Sequence, residues 1–205
     1  MKLIGAGRAS EILDLGDGRV LRRFKAGGRP AREALVMRHA AAYGYPVPEV
    51  LEVRDDALVL EFVDGPTMLA DVLAEPGRLD EHAALLARLH AQLHEIPAPP
   101  ELGEGRLLHM DFHPDNVMLS SRGPVVIDWA IARAGDPALD VAMTWILCVA
   151  SGGEAGERFM RSYLPHVDEA EMRRALPEAA EVRVADPNVT DEERAAVRRL
   201  TRHSR

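Results

Sequence analysis

A single cysteine, Cys148, occurs in the 205 residues, so no disulfide can close within the chain. It lies in the apolar stretch Val141 to Ala150, where a thiol serves as a small core residue, and a lone thiol suits a reducing compartment. There is no excess of basic charge. The formal net charge is −8 and the pI near 5.5, which argues against a nucleic-acid partner, since phosphates select basic faces. No apolar run approaches the ~20 residues that a membrane-spanning helix needs. Residues Met1 to Gly5 do not open a secretory signal. Internal repeats and low-complexity tracts are missing as well. The expectation is a soluble, cytoplasmic protein without membrane or nucleic-acid partners, with homo-oligomerisation left open. A hydrophobic content of 47% is enough for one domain or two small lobes, each with a core.

The first sixty residues have the pattern of a small β-rich lobe. Glu11 to Leu15 and Arg19 to Phe24 are strand-like and joined by Gly16-Asp17-Gly18, a hairpin signal. Pro30 opens a helix through Glu33, Met37 and Ala40 that Gly44 closes. Strands at Glu49 to Val53 and Ala57 to Val63 follow, and Asp64-Gly65-Pro66-Thr67 is a turn-rich break suited to a hinge. The chain then turns helical. A short helix covers Met68 to Leu73, and Asp80 can cap a longer one carrying Leu86, Leu89, Leu93 and Ile96. A strand at Arg106 to His109 leads into the loop through Asn116, which forms a hairpin-like pair with Val125 to Asp128, and a helix follows from Asp136-Pro137 through Val149. Two final helices begin at Asp168 with Glu171 and at Thr190 with Glu193. The expected division is 1–63, a hinge at 64–67, and 68–205.

The richest chemistry lies in His109-Met-Asp-Phe-His-Pro-Asp-Asn116 and Val126-Ile-Asp128-Trp. Asp111 offers a general base, Asn116 an amide oxygen five residues on, and Asp128 a second carboxylate at the end of a short apolar strand. Phosphoryl transfer from a magnesium nucleotide needs those three groups: one carboxylate orients the attacking hydroxyl, while the amide and the other carboxylate hold the metal. Taken singly, each has a duller role, because Asp and Asn form turns and cap strand ends. Their joint spacing is the stronger signal.

The H-x-D-x-x-x-x-N spacing with a later Asp is the catalytic signature of protein kinases. With His113 and Trp129, and with Gly135-Asp136-Pro137 leading to Asp140, the chain resembles the aminoglycoside phosphotransferase and choline kinase-like family. The resemblance runs from the N-terminus to about residue 150. It implies an α+β, bilobal protein-kinase-like fold, with a small antiparallel-sheet N-lobe and a mainly helical C-lobe. The implied activity is ATP- or GTP- and Mg2+-dependent transfer of the γ-phosphate to a hydroxyl of an aminoglycoside-, choline- or sugar-like small molecule. Asp111 would be catalytic, Asn116 and Asp128 the metal ligands, and His109, His113 and Asp140 loop supports. Gly5, Gly7 and Ser10, in the run Gly5 to Ser10, would cover the triphosphate, although a third glycine is lacking. Backbone groups of Glu61 and Val63 would meet the adenine edge.

One departure stands out. The kinase strand lysine is replaced by Arg22, which would grip the phosphates and pair with Glu33; Arg23 and Lys25 are rivals if the register differs. A solvated basic strand edge is the plainer alternative. The substitution, with the short region after residue 150, motivates a second function: a nucleotide-binding pseudokinase with little turnover. A third is a metal-dependent hydrolase, since His109, Asp111, His113 and Asp115 alternate like ligands. Acidic residues such as Glu154, Glu157 and Asp168 to Glu171 could attract an amine-bearing acceptor, but caps and solvated faces explain them equally well.

Overall fold

In the computed structural model, residues 1–7, 10–25 and 28–202 are described. In chain order the elements are β1 (Lys2–Ala6), β2 (Ser10–Gly16), β3 (Arg19–Phe24), α1 (Pro30–Ala42), β4 (Val50–Val53), β5 (Ala57–Glu61), α2 (Met68–Ala74), α3 (Leu79–His94), β6 (Arg106–Leu108), β7 (Val117–Ser120), β8 (Gly123–Val126), β9 (Arg133–Gly135), α4 (Pro137–Tyr163), α5 (Glu169–Ala185) and α6 (Asp191–Arg202). They fall into two compact units. The first holds residues Met1–Met68 and Asp115–Ala132, and the second Leu69–Pro114 and Arg133–Arg205.

The first unit is built on a five-stranded sheet of order β1-β2-β3-β5-β4, all neighbours antiparallel. The β2–β3 hairpin turns at Asp17 and Gly18, both at positive φ (52° and 71°). That geometry twists the strands as a two-residue turn requires. Alternation along β3 sends Val20, Arg22 and Phe24 to one face. Leu13, Leu21, Ala57 and Val59 cluster on the other, with Leu15 packed against them. Helix α1 begins with Pro30 at its first turn and ends before Gly44, at φ 76°, whose N–H donates to Ala41 O. The hairpin β7–β8 belongs to this unit: Leu119 N donates to Pro66 O, and Ser121 N to Asp64 Oδ1. Thr67 bridges to Met118. Gly65, at φ 89°, lies so close to Leu119 O that a Cβ would sit 2.1 Å away.

These contacts revise the expected boundaries. Residues 64–67 are pinned inside the first unit by the 115–132 hairpin, and that hairpin groups with the N-terminal residues. Three strand ends also move. The strand through Ala57 ends at Glu61, the one through Arg106 ends at Leu108, and Val126 closes β8 two residues before Asp128. β7, instead of the catalytic loop, is the partner of β8.

The second unit is mainly helical, with the short ladder β6–β9. Buried Ala83, Leu86, Leu89 and Leu93 form the core stripe of α3. Asp80 does not cap this helix: it lies within the first turn and accepts from Ser162 Oγ at 2.6 Å. Asp136 does cap α4, accepting from Ala138 N, and Asp168 caps α5 by accepting from Glu171 N. α4 runs past Val149 to Tyr163 across a break at Gly153, where φ is 52° and ψ −140°. Contrary to the expectation of no long apolar run, Pro137–His166 is long and apolar enough to cross a membrane by length and composition. In its most apolar window 56% of residues are buried within the protein, as in a core helix.

Candidate active site

In the second unit the loop after β6 makes a sharp corner. Met110 adopts φ 67°, a left-handed conformation that is costly for a side chain of its size. Asp140, from the first turn of α4, holds that corner: its Oδ2 accepts His109 N at 2.8 Å and its Oδ1 accepts Met110 N at 2.7 Å. Asp140 is fully buried. Burial would raise its pKa, but His90 and His94 outweigh it and keep the carboxyl well below the usual range. Thr144, one turn further along α4, donates to Phe112 O at 2.7 Å. Two side chains of one helix therefore brace the loop at three residues, His109, Met110 and Phe112.

Asp111 emerges from this brace with its side chain 25% exposed. Its N–H donates to His109 Nδ1 at 3.2 Å, and its Oδ1 lies 3.7 Å from His113 Nε2. Desolvation pushes its carboxyl up, but His113, His109 and Arg183 together bring it below the ordinary value, so it is ionised at neutral pH. Such a group can accept a proton or orient a hydroxyl.

In the first unit, Arg22 is buried on β3 and its guanidinium joins two carboxylates. Nη1 lies 3.0 Å from Glu33 Oε1 and Nη2 lies 2.5 Å from Asp128 Oδ1. The side chain also passes over the Phe24 ring at 5.2 Å. Glu33 is pushed up to about 7, chiefly by burial, with Arg22 and the Trp129 N–H pulling against it. Asp128 stands at φ 61° with its side chain 39% exposed. Only its Oδ1 is hydrogen-bonded among the described residues, which leaves Oδ2 available. Asn116 O accepts from Ile127 N at 2.9 Å, tying the stretch that carries Asn116 to the one that carries Asp128. An amide oxygen and a carboxylate oxygen are hard donors of the kind Mg2+ takes. The residues fit the metal that the motif implies.

The remaining expectations fare unevenly. Gly5 lies within strand β1, Gly7 N donates to Ser10 O at 2.9 Å, and Ser10 is buried at the start of β2. Arg8 and Ala9 of that loop lie outside the described residues. The Glu61 N–H is committed to Glu49 O, and its carboxylate takes Arg122, so only its carbonyl could serve an adenine. Val63 has no backbone hydrogen bond among the described residues. Among the described residues the row expected of a hydrolase does not form a metal-ligand group; His109 Nδ1 accepts the Asp111 N–H, and Asp115 Oδ1 accepts from Thr67 Oγ1 at 2.8 Å. Arg183 and the pair His90 and His94 were not foreseen. The i, i+4 spacing of the two histidines along the buried stripe of α3 was the available signal.

A loop held from beneath by a helix carboxylate, an ionised Asp within it, and a strand cation paired to a helix Glu together define a kinase-type phosphotransfer fold. Two family models agree. The RIO domain model matches residues 27–136, over half of the chain, and the phosphotransferase enzyme family model matches residues 98–177. By the extent of the first match the chain belongs to the RIO domain family, and its residues 98–177 are similar to the phosphotransferase enzyme family. Solved structures share the fold at low identity. A thermostable mutant of aminoglycoside phosphotransferase APH(4)-Ia, in ternary complex with AMP-PNP and hygromycin B, aligns with a TM-score of 0.72 and 16% identity over 98% of this chain and 92% of that one. A choline/ethanolamine kinase family protein from Mesorhizobium loti aligns with a TM-score of 0.61 and 17% identity, covering 99% and 86%. Thiamine kinases, such as that of Salmonella newport, are 51% identical over 39 residues. That stretch is 19% of this chain and 14% of the relatives' length.

Proposed function

We propose that the protein is a small-molecule kinase that transfers the γ-phosphate of ATP or GTP to an acceptor hydroxyl. The observation that carries the reading is the braced loop, which presents Asp111 ionised and partly exposed. In this reading the Asp111 carboxylate accepts a hydrogen bond from the acceptor hydroxyl and takes up its proton as the oxygen attacks phosphorus. Asn116 and Asp128 hold Mg2+, which neutralises the phosphate charge when bound. Arg22, kept in place by Glu33, contributes positive charge on the nucleotide side, and the backbone of Val63, without a hydrogen bond among the described residues, accommodates the base. Acceptor candidates are aminoglycosides, choline and other amino alcohols, sugars and, from the short thiamine kinase match, thiamine. Screening these with ATP or GTP and following nucleoside diphosphate release tests the reading. Asp111→Asn should lower turnover by at least about 100-fold while nucleotide affinity stays within a factor of two or three. Full turnover in that variant would remove Asp111 from the mechanism.

A second reading, nucleotide binding with little turnover, is favoured by one specific contact: Arg22 Nη2 occupies Oδ1 of the metal carboxylate Asp128 at 2.5 Å. Tight nucleotide binding with no release of diphosphate across the whole acceptor set would support it.

A further inference from the structure

His90 and His94 stand one turn apart on α3 and both point at Asp140 on α4. His90 Nε2 lies 3.4 Å and His94 Nε2 3.1 Å from the same oxygen, Asp140 Oδ2. The three ligand atoms lie within 4.8 Å of one another. Ligands held about 2.0–2.1 Å from a tetrahedral ion are separated by about 3.4 Å, so the cluster is already close to that spacing.

The hydrogen bonding is incomplete in a telling way. His90 is 1% exposed, yet its Nε2, 3.4 Å from Asp140 Oδ2, makes no hydrogen bond among the described residues. Its Nδ1 lies 2.6 Å from the buried Tyr163 Oη. In the tautomer whose Nδ1–H donates to Tyr163, the form a metal would select, the Nε2 lone pair faces a carboxylate oxygen in a dry interior. A cation between two electron-rich atoms so placed would offset their repulsion. A ligating imidazole that donates its other N–H to a neighbouring oxygen is the arrangement that orients metal-binding histidines.

We propose that His90, His94 and Asp140 form a site for a zinc-like transition-metal ion, distinct from the Mg2+ ligands of the phosphotransfer reading. Two imidazoles and one carboxylate suit Zn2+, Co2+ or Ni2+, whereas Mg2+ and Ca2+ favour oxygen alone. The His94 side chain is 10% exposed and provides the approach from solvent, and a water completes the coordination. The other lone pairs of Asp140 receive the amides of His109 and Met110, so an ion here is fastened to the braced loop and stiffens it.

The test uses the full chain in excess Mg2+, with Co2+ as the probe. One equivalent should bind and give visible absorption of four-coordinate intensity, which Zn2+ then abolishes. Zn2+ should also raise the melting temperature. His94→Gln retains an amide donor toward Asp140 but not an imidazole; it should lose both effects while melting normally without added metal. His113→Gln should keep them, which separates this site from the neighbourhood of Asp111. No cobalt absorption in the unsubstituted protein, or equal absorption in His94→Gln, overturns the proposal and leaves the cluster as a hydrogen-bonded brace alone.

Discussion

Arg22 Nη2 sits 2.5 Å from Asp128 Oδ1 while Nη1 of the same guanidinium sits 3.0 Å from Glu33 Oε1. One buried cation thus serves two carboxylates, one from α1 and one from the turn after β8. The planar fork of arginine suits this position: a compact ammonium is less suited to two acceptors in a fixed plane. Arg22→Ala leaves Glu33 buried without its cation, so that it folds protonated, and should cost about 1–3 kcal/mol of stability. Arg22→Lys should recover only part of it. Denaturant titration of the three proteins checks the order.

Glu33 carries a pH signature. Its folded pKa is raised to about 7 from an ordinary 4.5, so the folded state binds more protons than the unfolded state between those values. Its contribution to stability is fully present below about 4.5 and declines as pH rises toward 7. His90 acts oppositely: burial lowers its pKa to about 4, so its share is lost as pH falls from 6.5 toward 4. Unfolding free energies of the parent and Glu33→Gln, compared across pH 4–8, should converge on the acid side and diverge above pH 5 in favour of the glutamine variant. A difference independent of pH would refute the assignment.

Much of this was legible in the residues. The β2–β3 hairpin, the Pro30 and Gly44 boundaries of α1, and the Arg22–Glu33 pairing followed from turn residues, alternation and the motif. The places where the pattern failed share a cause: partners distant in sequence. Asp64 to Thr67 has the composition of a hinge, but its backbone is bound by a hairpin fifty residues later. Ser10 has a phosphate-loop setting in sequence, yet strand pairing buries it. Local composition could not show that His90, His94 and Tyr163 converge on Asp140, because the convergence depends on how α3 packs against α4.

Asp140 should separate loop geometry from nucleotide binding. Asp140→Ala leaves the amides of His109 and Met110 buried without acceptors, at about 1–3 kcal/mol each. Asp140→Asn restores one oxygen but turns an NH2 toward the other amide. Turnover should fall steeply in both, and less in the asparagine variant, while the nucleotide dissociation constant, measured on protein shown to be folded, changes little. Equal loss of affinity and turnover would mean that Asp140 supports the whole fold and not the orientation of Asp111.

The break in α4 gives a sharper structural prediction. Gly156 packs against the Cys148 carbonyl so closely that a Cβ would fall 1.9 Å from that oxygen, a backbone atom that cannot swing aside. Gly152, one residue before the break at Gly153, has open space where its Cβ would be. Gly152→Ala should therefore be neutral or stabilising by up to about 1 kcal/mol, as alanine favours helix over glycine. Gly156→Ala carries the same propensity gain but must force the corner apart, with a net loss of about 1–3 kcal/mol. Urea unfolding of the two variants measures the contrast directly. If both alanines stabilise alike, the Gly156 contact does not hold this corner of the helix together.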